Sequence, residues 1–545
     1  MDKVYDVAIV GFGPSGAVAA GLLGAQGLST FVCDKSREVY EMPRAFALDH
    51  EIMRVFQQLG IEQEVLAYTE PFTPSEFYGV DGQLIKRFTT VDPPYPLAHV
   101  PSLVFTQPLV ERVLRAHVQS LPTVDVALGC ELQSLVQDAR GVTLHLRDDK
   151  GSETQVSQVR ARYLLACDGA VSLVRNAVGI ELQDLGFDQA WLVVDVLVNA
   201  QGLTKLPRTS VQYCEPERPC TYLIGPKNHR RWEISINDGE DPSMVATPDG
   251  TWKLLSRWIA PEDGTLWRQA SYRFHALVTD QWRVGRVFVA GDAAHQQPPF
   301  LGQGMCQGIR DVANLSWKLG AVLRGQAADD LLDSYGLERK AHVTELTTRI
   351  KAIGQLVGER DVVKARARDV QLLADCGGVV KSVPRQNVQP ALQAGLLSVQ
   401  AHTARGAIFP QPWILQASKR VRLDAITGSG WRLVRWLGAA SNDDADALFE
   451  SSKAALRLQL RTVRIVNALC GEPATNALCE ADGVLERWFA QHQCVAALVR
   501  PDHYVYAVAP TQADILPMLQ AAAEHLSNFA LRGSLASFSS TEAVA

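Results

Sequence analysis

The stretch VAIVGFGPSGAVAAGLLGAQGLSTFVCD, residues 7–34, decides the fold of this chain. Its β-branched start at 7–10 predicts a strand buried on both faces, and the Ala- and Leu-rich segment 17–26 predicts a helix. A second strand is predicted at 29–33, directly before an acidic residue. Strand, glycine turn, helix, strand and acid in this order are typical of a βαβ unit that binds a dinucleotide.

Each glycine of the turn has a mechanical reason. Gly11 is expected to form the tight turn, Gly13 to let the backbone approach a pyrophosphate, and Gly16 to let helix and strand pack closely. The following helix N-terminus offers free N–H groups to phosphate, and an acid at the end of the second strand can bind a ribose. The predicted cofactor-binding residues of this unit are Gly11, Gly13, Pro14, Ser15, Gly16, Asp34 and Lys35.

Composition excludes several classes of protein. The 545 residues suffice for three or four domains, and 47% hydrophobic with 21% charged residues is ordinary for a soluble globular chain. A net charge of −6 gives no electrostatic reason to expect nucleic acid or a membrane as partner. Ten cysteines without a Cys-x-x-Cys pattern, and no signal peptide, favour a cytoplasmic protein without a zinc site. A small-molecule ligand is therefore expected.

Two further motifs lie far along the chain. Asp168 and Gly169 follow a predicted strand at 163–167, and Gly291 and Asp292 end another at 286–290. Prolines and glycines then punctuate the segment up to Gly304, where a helical pattern begins that reaches about residue 323. A small residue beside an acid at a strand end suits the close approach of a sugar alcohol.

The three motifs together resemble those of the FAD-dependent aromatic hydroxylases, within which the likeness is greatest to the 3-(3-hydroxyphenyl)propionate and 3-hydroxycinnamate hydroxylases. Their order and spacing agree over about 300 residues. The resemblance implies FAD, NADH or NADPH, and dioxygen as cofactor and cosubstrates, and a homodimer. It also implies further FAD contacts, at Arg44, Gln107, Asp168, Gly169, Gly291, Asp292, Pro299, Gly302, Gly304 and Met305.

The resemblance implies an α/β fold: a Rossmann-type FAD-binding domain (1–180 and 280–375) with an inserted mixed β-sheet substrate domain (72–105 and 181–279), as in para-hydroxybenzoate hydroxylase. A linker at 376–404 leads to a thioredoxin-like C-terminal domain at 405–540, similar to the tail of phenol hydroxylase. The residue pattern itself predicts two strands, at 495–499 and 504–508, about a Pro-Asp turn, with a helix near 511–525. Without a Cys-x-x-Cys motif the tail is expected to serve packing or dimer contact.

The activity implied by the resemblance is hydroxylation of a phenol through a flavin hydroperoxide, in aromatic catabolism. Pro299 matches the family's proline, and its carbonyl could accept the peroxide proton without adding a donor. Asp49 and His50 could reach the site as acid or base, but they equally suit a helix N-cap and its neighbour. No His, Asp or Glu cluster has metal-ligand spacing, so no metal is predicted.

Four residues of the substrate domain are predicted to contact substrate: Tyr213, Tyr222, Arg231 and His275. Arg231 stands out because a carboxylated phenol such as 3-(3-hydroxyphenyl)propionate needs a cation. Two alternatives stay open, namely the same chemistry on a larger polycyclic or natural-product phenol, and an FAD dehydrogenase that does not hydroxylate. Neither the coenzyme preference nor the residue that deprotonates the substrate can be read from the sequence.

Overall fold

The computed structural model describes residues 3–148, 155–416, 419–438, 445–467 and 477–529. The first part of the chain contains the strands β1 Val4–Val10, β2 Thr30–Asp34, β3 Ala47–Asp49, β4 Thr69–Pro71, β5 Ser75–Tyr78, β6 Leu84–Thr89, β7 Ser102–Phe105, β8 Val124–Leu128, β9 Cys130–Asp138, β10 Gly141–Asp148 and β11 Gln155–Ala166. Its helices are α1 Pro14–Ala25, α2 His50–Leu59, α3 Glu62–Leu66, α4 Gln107–Gln119 and α5 Leu173–Ala177.

The middle part contains the strands β12 Leu182–Val198, β13 Ser210–Tyr213, β14 Cys220–Ile224, β15 His229–Ser235, β16 Gly264–Thr279, β17 Arg283–Val284, β18 Val287–Val289, β19 His295–Gln296 and β20 Ser382–Pro384. Its helices are α6 Ala200–Lys205, α7 Pro242–Val245, α8 Pro248–Leu255, α9 Gly304–Leu323, α10 Asp333–Val357 and α11 Val362–Asp375.

The last part contains the strands β21 Trp413–Gln416, β22 Lys419–Arg422, β23 Arg432–Trp436, β24 Arg461–Asn467, β25 Leu478–Glu480, β26 Ala496–Val499 and β27 Val505–Ala509. Its helices are α12 Leu423–Thr427, α13 Ala445–Glu450, α14 Lys453–Leu458, α15 Val484–His492 and α16 Ile515–Ser527.

An eight-stranded, mostly parallel sheet forms the centre of the molecule. Its strands run in the order β17-β18-β11-β1-β2-β8, and β1 pairs in parallel with both β2 and β11. The predicted buried strand at 7–10 is confirmed, since these residues are at most 7% exposed. Helix α1 is buried along most of its length against α4 and α9, which explains why its sequence is apolar all round. The predicted βαβ unit is therefore confirmed.

A nine-stranded mixed sheet, here called the roof sheet, has the order β19-β16-β12-β15-β14-β13-β5-β6-β20. Alternate residues of its long strand β12 point to opposite faces. On one face, here called the inner face, the ring of Trp191 contacts Phe300 at 5.5 Å between centroids. On the outer face Val194, Tyr222 and Trp232 form a core with α8. The mixed sheet expected between the two cofactor-binding segments is thus present.

The predicted linker at 376–404 is more ordered than expected. Strand β20 pairs in parallel with β6 and forms one edge of the roof sheet. Directly after it, the Arg385 guanidinium donates a hydrogen bond of 2.6 Å to the carbonyl of Leu301. Because this contact reaches the turn before α9, the segment connects two parts of the molecule and also braces that turn.

A seven-stranded sheet forms the C-terminal part, in the order β22-β21-β25-β24-β23-β26-β27. Strand β23 pairs in parallel with β24 and antiparallel with β26, which gives the β-α-β-α-β-β-α arrangement of a thioredoxin-like fold. The two strands and the helix predicted near the C-terminus correspond to β26, β27 and α16. Among the described helices, none is both long and apolar enough to cross a membrane.

Candidate cofactor and substrate site

The turn between β1 and α1 is built around its glycines. Gly11 has φ +98°, and a Cβ there would lie 2.2 Å from the carbonyl oxygen of Cys167. A Cβ on Gly16 would lie 2.0 Å from the Gly11 oxygen. At Gly13 the situation is the opposite, because a Cβ there would meet no atom within 4 Å. The first and last of these positions need glycine for packing, whereas Gly13 borders open space in front of the helix.

Helices α1 and α9 both begin at this space without a capping side chain. At neither N-cap residue, Gly13 or Gln303, does a side chain accept a hydrogen bond from the first-turn N–H groups. Some other helices are capped, for example α5 by Ser172 and α11 by Asp361, whereas others such as α4 and α10 are not. Uncapped first-turn N–H groups carry partial positive charge and bind anions. The two helix N-termini therefore suit negatively charged groups, such as a phosphate or a ring that carries negative charge.

Asp34 stands at the end of β2, next to the glycine turn. Its carboxylate accepts hydrogen bonds of 2.7 Å from the backbone N–H groups of Phe12 and Ser36. The neighbouring Lys35 is exposed. This position, at the carboxyl edge of the parallel sheet, is where an acid contacts the ribose of a dinucleotide.

The strand end at Gly291 is held by a buried ionic cluster that sequence reasoning missed. The Gly291 N–H donates to Asp311 at 2.9 Å, and the same carboxylate pairs with His295 at 2.7 Å and Arg339 at 2.9 Å. Asp311 sits within the helical pattern of α9, where nothing in the sequence distinguishes it from a surface acid. Asp292, which directly follows Gly291, is exposed and can face a ligand.

The turn before α9 has the shape that its prolines and glycines predict. The Gly302 N–H donates to the Pro299 carbonyl at 2.7 Å, and Gly302 has φ +62°. A Cβ at Gly304 would meet nothing within 4 Å, so this residue borders open space as Gly13 does. Met305 is partly buried against the central core. The Pro299 carbonyl keeps a second lone pair for another donor.

Asp168 and Gly169 follow β11 at the same edge of the sheet. One carboxylate oxygen of Asp168 accepts from the Val174 N–H at 3.1 Å, and the other is buried without a partner among the described residues. Burial raises the pKa of this carboxyl, although bonds from Ser172 and the backbone oppose the shift. An unsatisfied buried acceptor indicates a missing donor, such as a sugar hydroxyl.

Residues 43–45, here called the Arg44 segment, form hydrogen bonds with both the FAD-binding part and the roof sheet. The Gln107 carbonyl oxygen accepts from the backbone N–H groups of Arg44 at 2.8 Å and Ala45 at 2.6 Å. The Arg44 side chain is exposed and lies over the ring of Tyr40. Gln107, predicted as an FAD contact, thus orders the segment that presents Arg44.

Arg231 does not have the position expected of a substrate-binding cation. Its guanidinium is buried and forms two hydrogen bonds with Asp195, of 2.7 and 3.0 Å. It also donates to the carbonyls of Arg44 at 2.8 Å and Pro43 at 3.0 Å. Asp195, directly opposite on β12, is fully buried and needs a cation. Arg231 therefore fastens the roof sheet to the Arg44 segment, which corrects the predicted substrate contact.

The other three predicted substrate residues lie on the outer face of the roof sheet. Tyr222 packs on Trp232, and the Tyr213 hydroxyl accepts from the Trp258 indole at 3.1 Å. His275 lies 3.8 Å from Asp188 near the sheet edge, on the face opposite Phe274. The sequence shows that strands alternate, but it does not show which face is covered by helices. We therefore withdraw these three residues as substrate contacts.

Asp49 contributes mainly to structure, whereas His50 has a buried ring nitrogen with no partner among the described residues. Asp49 caps α2 by accepting from the N–H groups of residues 51 and 52, and it pairs with Arg310. Burial lowers the pKa of His50 to about 4, so this imidazole is neutral. Both residues line a cavity of about 300 Å³ that is shared with the C-terminal part at Tyr504. The capping role, weighed above as an alternative, is the one that the structure shows for Asp49.

These contacts fit a dinucleotide with a flavin ring. Gly13 and Gly304 leave room in front of two uncapped helices, and Asp34, Asp168 and Asp292 offer acceptors at the same sheet edge. Phe300 in the turn before α9 and the carbonyls of Pro43 and Arg44 both contact the inner face of the roof sheet. In the described ranges, no group of three His, Cys, Asp or Glu residues could hold a metal ion.

Comparison with known proteins supports this interpretation. Residues 4–350 match a family profile described as an FAD binding domain, and residues 406–524 match one described as an HcaD C-terminal domain. The fold is similar to that of the flavin-dependent monooxygenase PieE, with a TM-score of 0.79 at 21% identity over 96% of this chain and 99% of the other. For aklavinone-11 hydroxylase the TM-score is 0.76 at 22% identity, over 96% and 100%.

Two relatives are similar over nearly the whole chain. A probable NADH-specific resorcinol 4-hydroxylase of Rhodococcus jostii (strain RHA1) is 37% identical over 94% of this chain and 93% of its own length. A 3-(3-hydroxy-phenyl)propionate/3-hydroxycinnamic acid hydroxylase of Burkholderia cenocepacia (strain HI2424) is 32% identical over 92% and 93%. The chain therefore belongs to the FAD-dependent aromatic hydroxylases, monooxygenases that use FAD, a nicotinamide coenzyme and dioxygen.

Proposed function

We propose that the protein hydroxylates a phenol in the space between the inner face of the roof sheet and the two FAD-binding segments. One observation carries the location. The inner face touches both segments, through Arg231 at the Arg44 segment and through Trp191 at Phe300. A ring bound between these two contacts is covered by the roof sheet, which keeps water from the reaction.

The chain's own residues have three roles in this proposal. Gly11 to Gly16, Asp34, Asp168 and Asp292 bind the cofactor, and the Gln107-ordered Arg44 segment covers it. When bound, FAD reduced by a nicotinamide coenzyme supplies the activation of dioxygen for transfer of one oxygen atom. With FAD bound, the N-terminus of α9 would stabilise negative charge that develops on the cofactor, and the second lone pair of the Pro299 carbonyl could accept a hydrogen bond without adding a competing donor.

The names of the relatives indicate two kinds of phenol, one without a carboxylate and one with it. Both arginines of the inner face are already engaged. Arg231 pairs with Asp195, and Arg268 donates to the Pro43 carbonyl at 2.5 Å and to the Tyr272 hydroxyl. This arrangement removes the cation on which the expectation of a carboxylated substrate depended.

The experiment that tests the proposed function follows NADH and NADPH oxidation, dioxygen uptake and peroxide release in parallel. The panel contains resorcinol, 3-(3-hydroxyphenyl)propionate, 3-hydroxycinnamate, simple phenols and bicyclic phenols. We expect at least one phenol to accelerate NADH oxidation with little peroxide, because a ring that fills the covered space excludes water. Oxidation that is indifferent to every phenol would remove the proposal and favour a dehydrogenase.

Arg231→Lys should weaken FAD binding rather than substrate selectivity. Lysine keeps the charge but loses the planar, multiple hydrogen bonding to Asp195 and the two carbonyls. Losing two or more charge-assisted bonds at about 1.5 kcal/mol each predicts an FAD dissociation constant raised roughly 100-fold. Fluorescence titration of the apoprotein with FAD measures this. The matched control is Arg230→Lys, since the Arg230 guanidinium donates to backbone carbonyls of its own turn and forms no hydrogen bond with Asp195 or the Arg44 segment.

If Arg231→Lys instead bound FAD normally and lost only its discrimination between carboxylated and neutral phenols, Arg231 would be a substrate residue after all. The KM values of 3-(3-hydroxyphenyl)propionate and of resorcinol, compared in both variants, decide between these possibilities.

Four further points belong to the same proposal. The division into an FAD-binding domain at 1–180 and 280–375, a substrate domain at 72–105 and 181–279, a linker at 376–404 and a C-terminal domain at 405–540 is retained. We also propose a homodimer, a cytoplasmic location and a packing role for the tail. The last is supported by its buried ionic contacts with the FAD-binding part, for example that of Arg500 with Glu338.

A further inference from the structure

The inner face of the roof sheet also carries a buried glutamate that has no role in the proposed function. Glu233 lies on β15, opposite Val193 of β12 and Thr221 of β14. It is 3% exposed and forms no hydrogen bond or ion pair with any residue that the structure describes. Buried carboxyl groups are almost always paired, so this one calls for a ligand.

The register of the strands places Glu233 above the reaction space. Two positions earlier on the same strand and face, Arg231 donates to the Arg44 segment. Beside it on β12, Trp191 precedes Val193 by two positions on the same face and contacts Phe300. The side chain of Glu233 lies between these two contacts, because alternate residues of a strand share a face. It therefore faces the space where the phenol is proposed to bind.

The charged groups around Glu233 leave it uncompensated. Arg231 of its own strand is neutralised by Asp195 of β12, and Arg268 of β16 lies 3.8 Å from the same aspartate. The facing strands β14 and β13 contribute only the neutral Thr221 and Gln212, which bond each other at 2.6 Å. Burial raises the pKa of Glu233 to about 7, with Arg231 opposing and Asp195 supporting the shift.

We propose that the Glu233 carboxyl accepts the hydrogen bond of the substrate's phenolic hydroxyl and takes its proton during hydroxylation, so that the site selects phenols without a carboxylate. In this step the phenol O–H bond breaks, a carboxyl O–H bond forms, and the electron pair stays on the phenolic oxygen, which makes the ring electron-rich. A carboxylated phenol would bring a second negative charge beside Glu233, where Arg231 and Arg268 are already engaged by Asp195. The inference rests on the proposed function and names the substrate class of that site.

The direction of the pH dependence follows from the protonation state of Glu233 that can accept a proton. Only the carboxylate can take the proton, and it predominates above pH 7, whereas a phenol of pKa about 10 stays protonated over this range. The coupled rate should therefore rise with pH up to about 7 and then level off. Below pH 7 it should fall about tenfold per unit, as expected for one titrating base.

The test compares Glu233→Gln, Glu233→Asp and, as matched control, Glu217→Gln, an exposed glutamate of the same domain. Each holoenzyme is first checked for FAD content and melting temperature. Binding of 3-ethylphenol and of 3-(3-hydroxyphenyl)propionate, which differ in the carboxylate, is then measured by the change in flavin absorbance between pH 5.5 and 9. Coupled product formation is followed over the same range.

For the wild type and Glu217→Gln we expect 3-ethylphenol to bind at least tenfold more tightly than 3-(3-hydroxyphenyl)propionate. The coupled turnover rate should increase with pH up to about 7 and then level off, here called the pH step. Glu233→Gln should weaken binding of 3-ethylphenol by roughly 10- to 100-fold, the value of a hydrogen bond to a charged group, and abolish the step. Glu233→Asp should keep the step at reduced affinity, which a purely structural role would not do.

Two results would overturn the inference: an unchanged affinity and pH step in Glu233→Gln, or tighter wild-type binding of the carboxylated phenol. Either result, obtained while the wild type hydroxylates a phenol in a coupled manner, removes the role of Glu233 and leaves the proposed function standing. If the wild type binds and hydroxylates no phenol at all, both fail together.

Discussion

Gly13→Val should yield a folded protein that binds no FAD. A valine side chain at this position has open space around it in the protein, so the fold loses little. The same side chain would occupy the place where a pyrophosphate approaches the start of α1. Losing two or three charge-assisted hydrogen bonds at about 1.5 to 3 kcal/mol each predicts at least a roughly 100-fold weaker FAD complex.

The measurement is the absorbance of the purified variant near 450 nm, followed by FAD titration and a melting curve. The matched control is Gly430→Val, because a Cβ at Gly430 also meets no atom within 4 Å but lies in the C-terminal part. A yellow Gly13→Val protein with wild-type FAD content would show that the cofactor is not bound at the glycine turn, and the site would have to be redrawn.

Arg500→Met should cost more stability than any surface substitution. Its guanidinium is fully buried and pairs with Glu338 and Asp502, both at most 1% exposed at their side chains. Burial alone would raise the pKa of Glu338, but Arg500 and Lys318 outweigh it and hold this pKa at about 2. Removing one member of a buried ionic cluster leaves uncompensated charge and costs about 3–5 kcal/mol.

Urea unfolding and a melting curve measure this loss of stability. The matched control is Arg420→Met, whose pairing with Asp482 is largely exposed and should contribute less than about 1 kcal/mol. Because Arg500 lies in the C-terminal part and Glu338 on α10, the variant also tests whether the tail is held on the FAD-binding part by this cluster. A stability equal to that of Arg420→Met would contradict the structural role proposed for the tail.

The parts of the fold that sequence patterns predicted well are those in which backbone geometry requires a residue type. Gly11 needs φ near +98° and has no room for a Cβ, so its place in the motif has a local cause. The βαβ unit, the start of α9 and the last two strands follow from such local signals. A glycine turn also indicates which end of a parallel sheet faces a ligand, so the sequence predicts the cofactor site at that edge.

The substrate side could not be predicted in the same way, because it depends on the pairing of distant strands. Tyr222 and Glu233 lie on neighbouring strands and differ in the face to which they point. The contacts of Trp191 with Phe300 and of Arg231 with the Arg44 carbonyl show which face is inner, and each joins residues more than 100 positions apart. The commitment of Arg231 to Asp195 is hidden for the same reason.

The central claim is that one oxygen atom of dioxygen is transferred to a phenol in the covered space below the roof sheet. Its most direct test is turnover with ¹⁸O₂ and the phenol that couples best, with mass analysis of the product and simultaneous measurement of NADH consumed. The account predicts one labelled oxygen atom per product molecule and one product per NADH. Unlabelled product, or NADH consumption that appears entirely as labelled hydrogen peroxide, would contradict it.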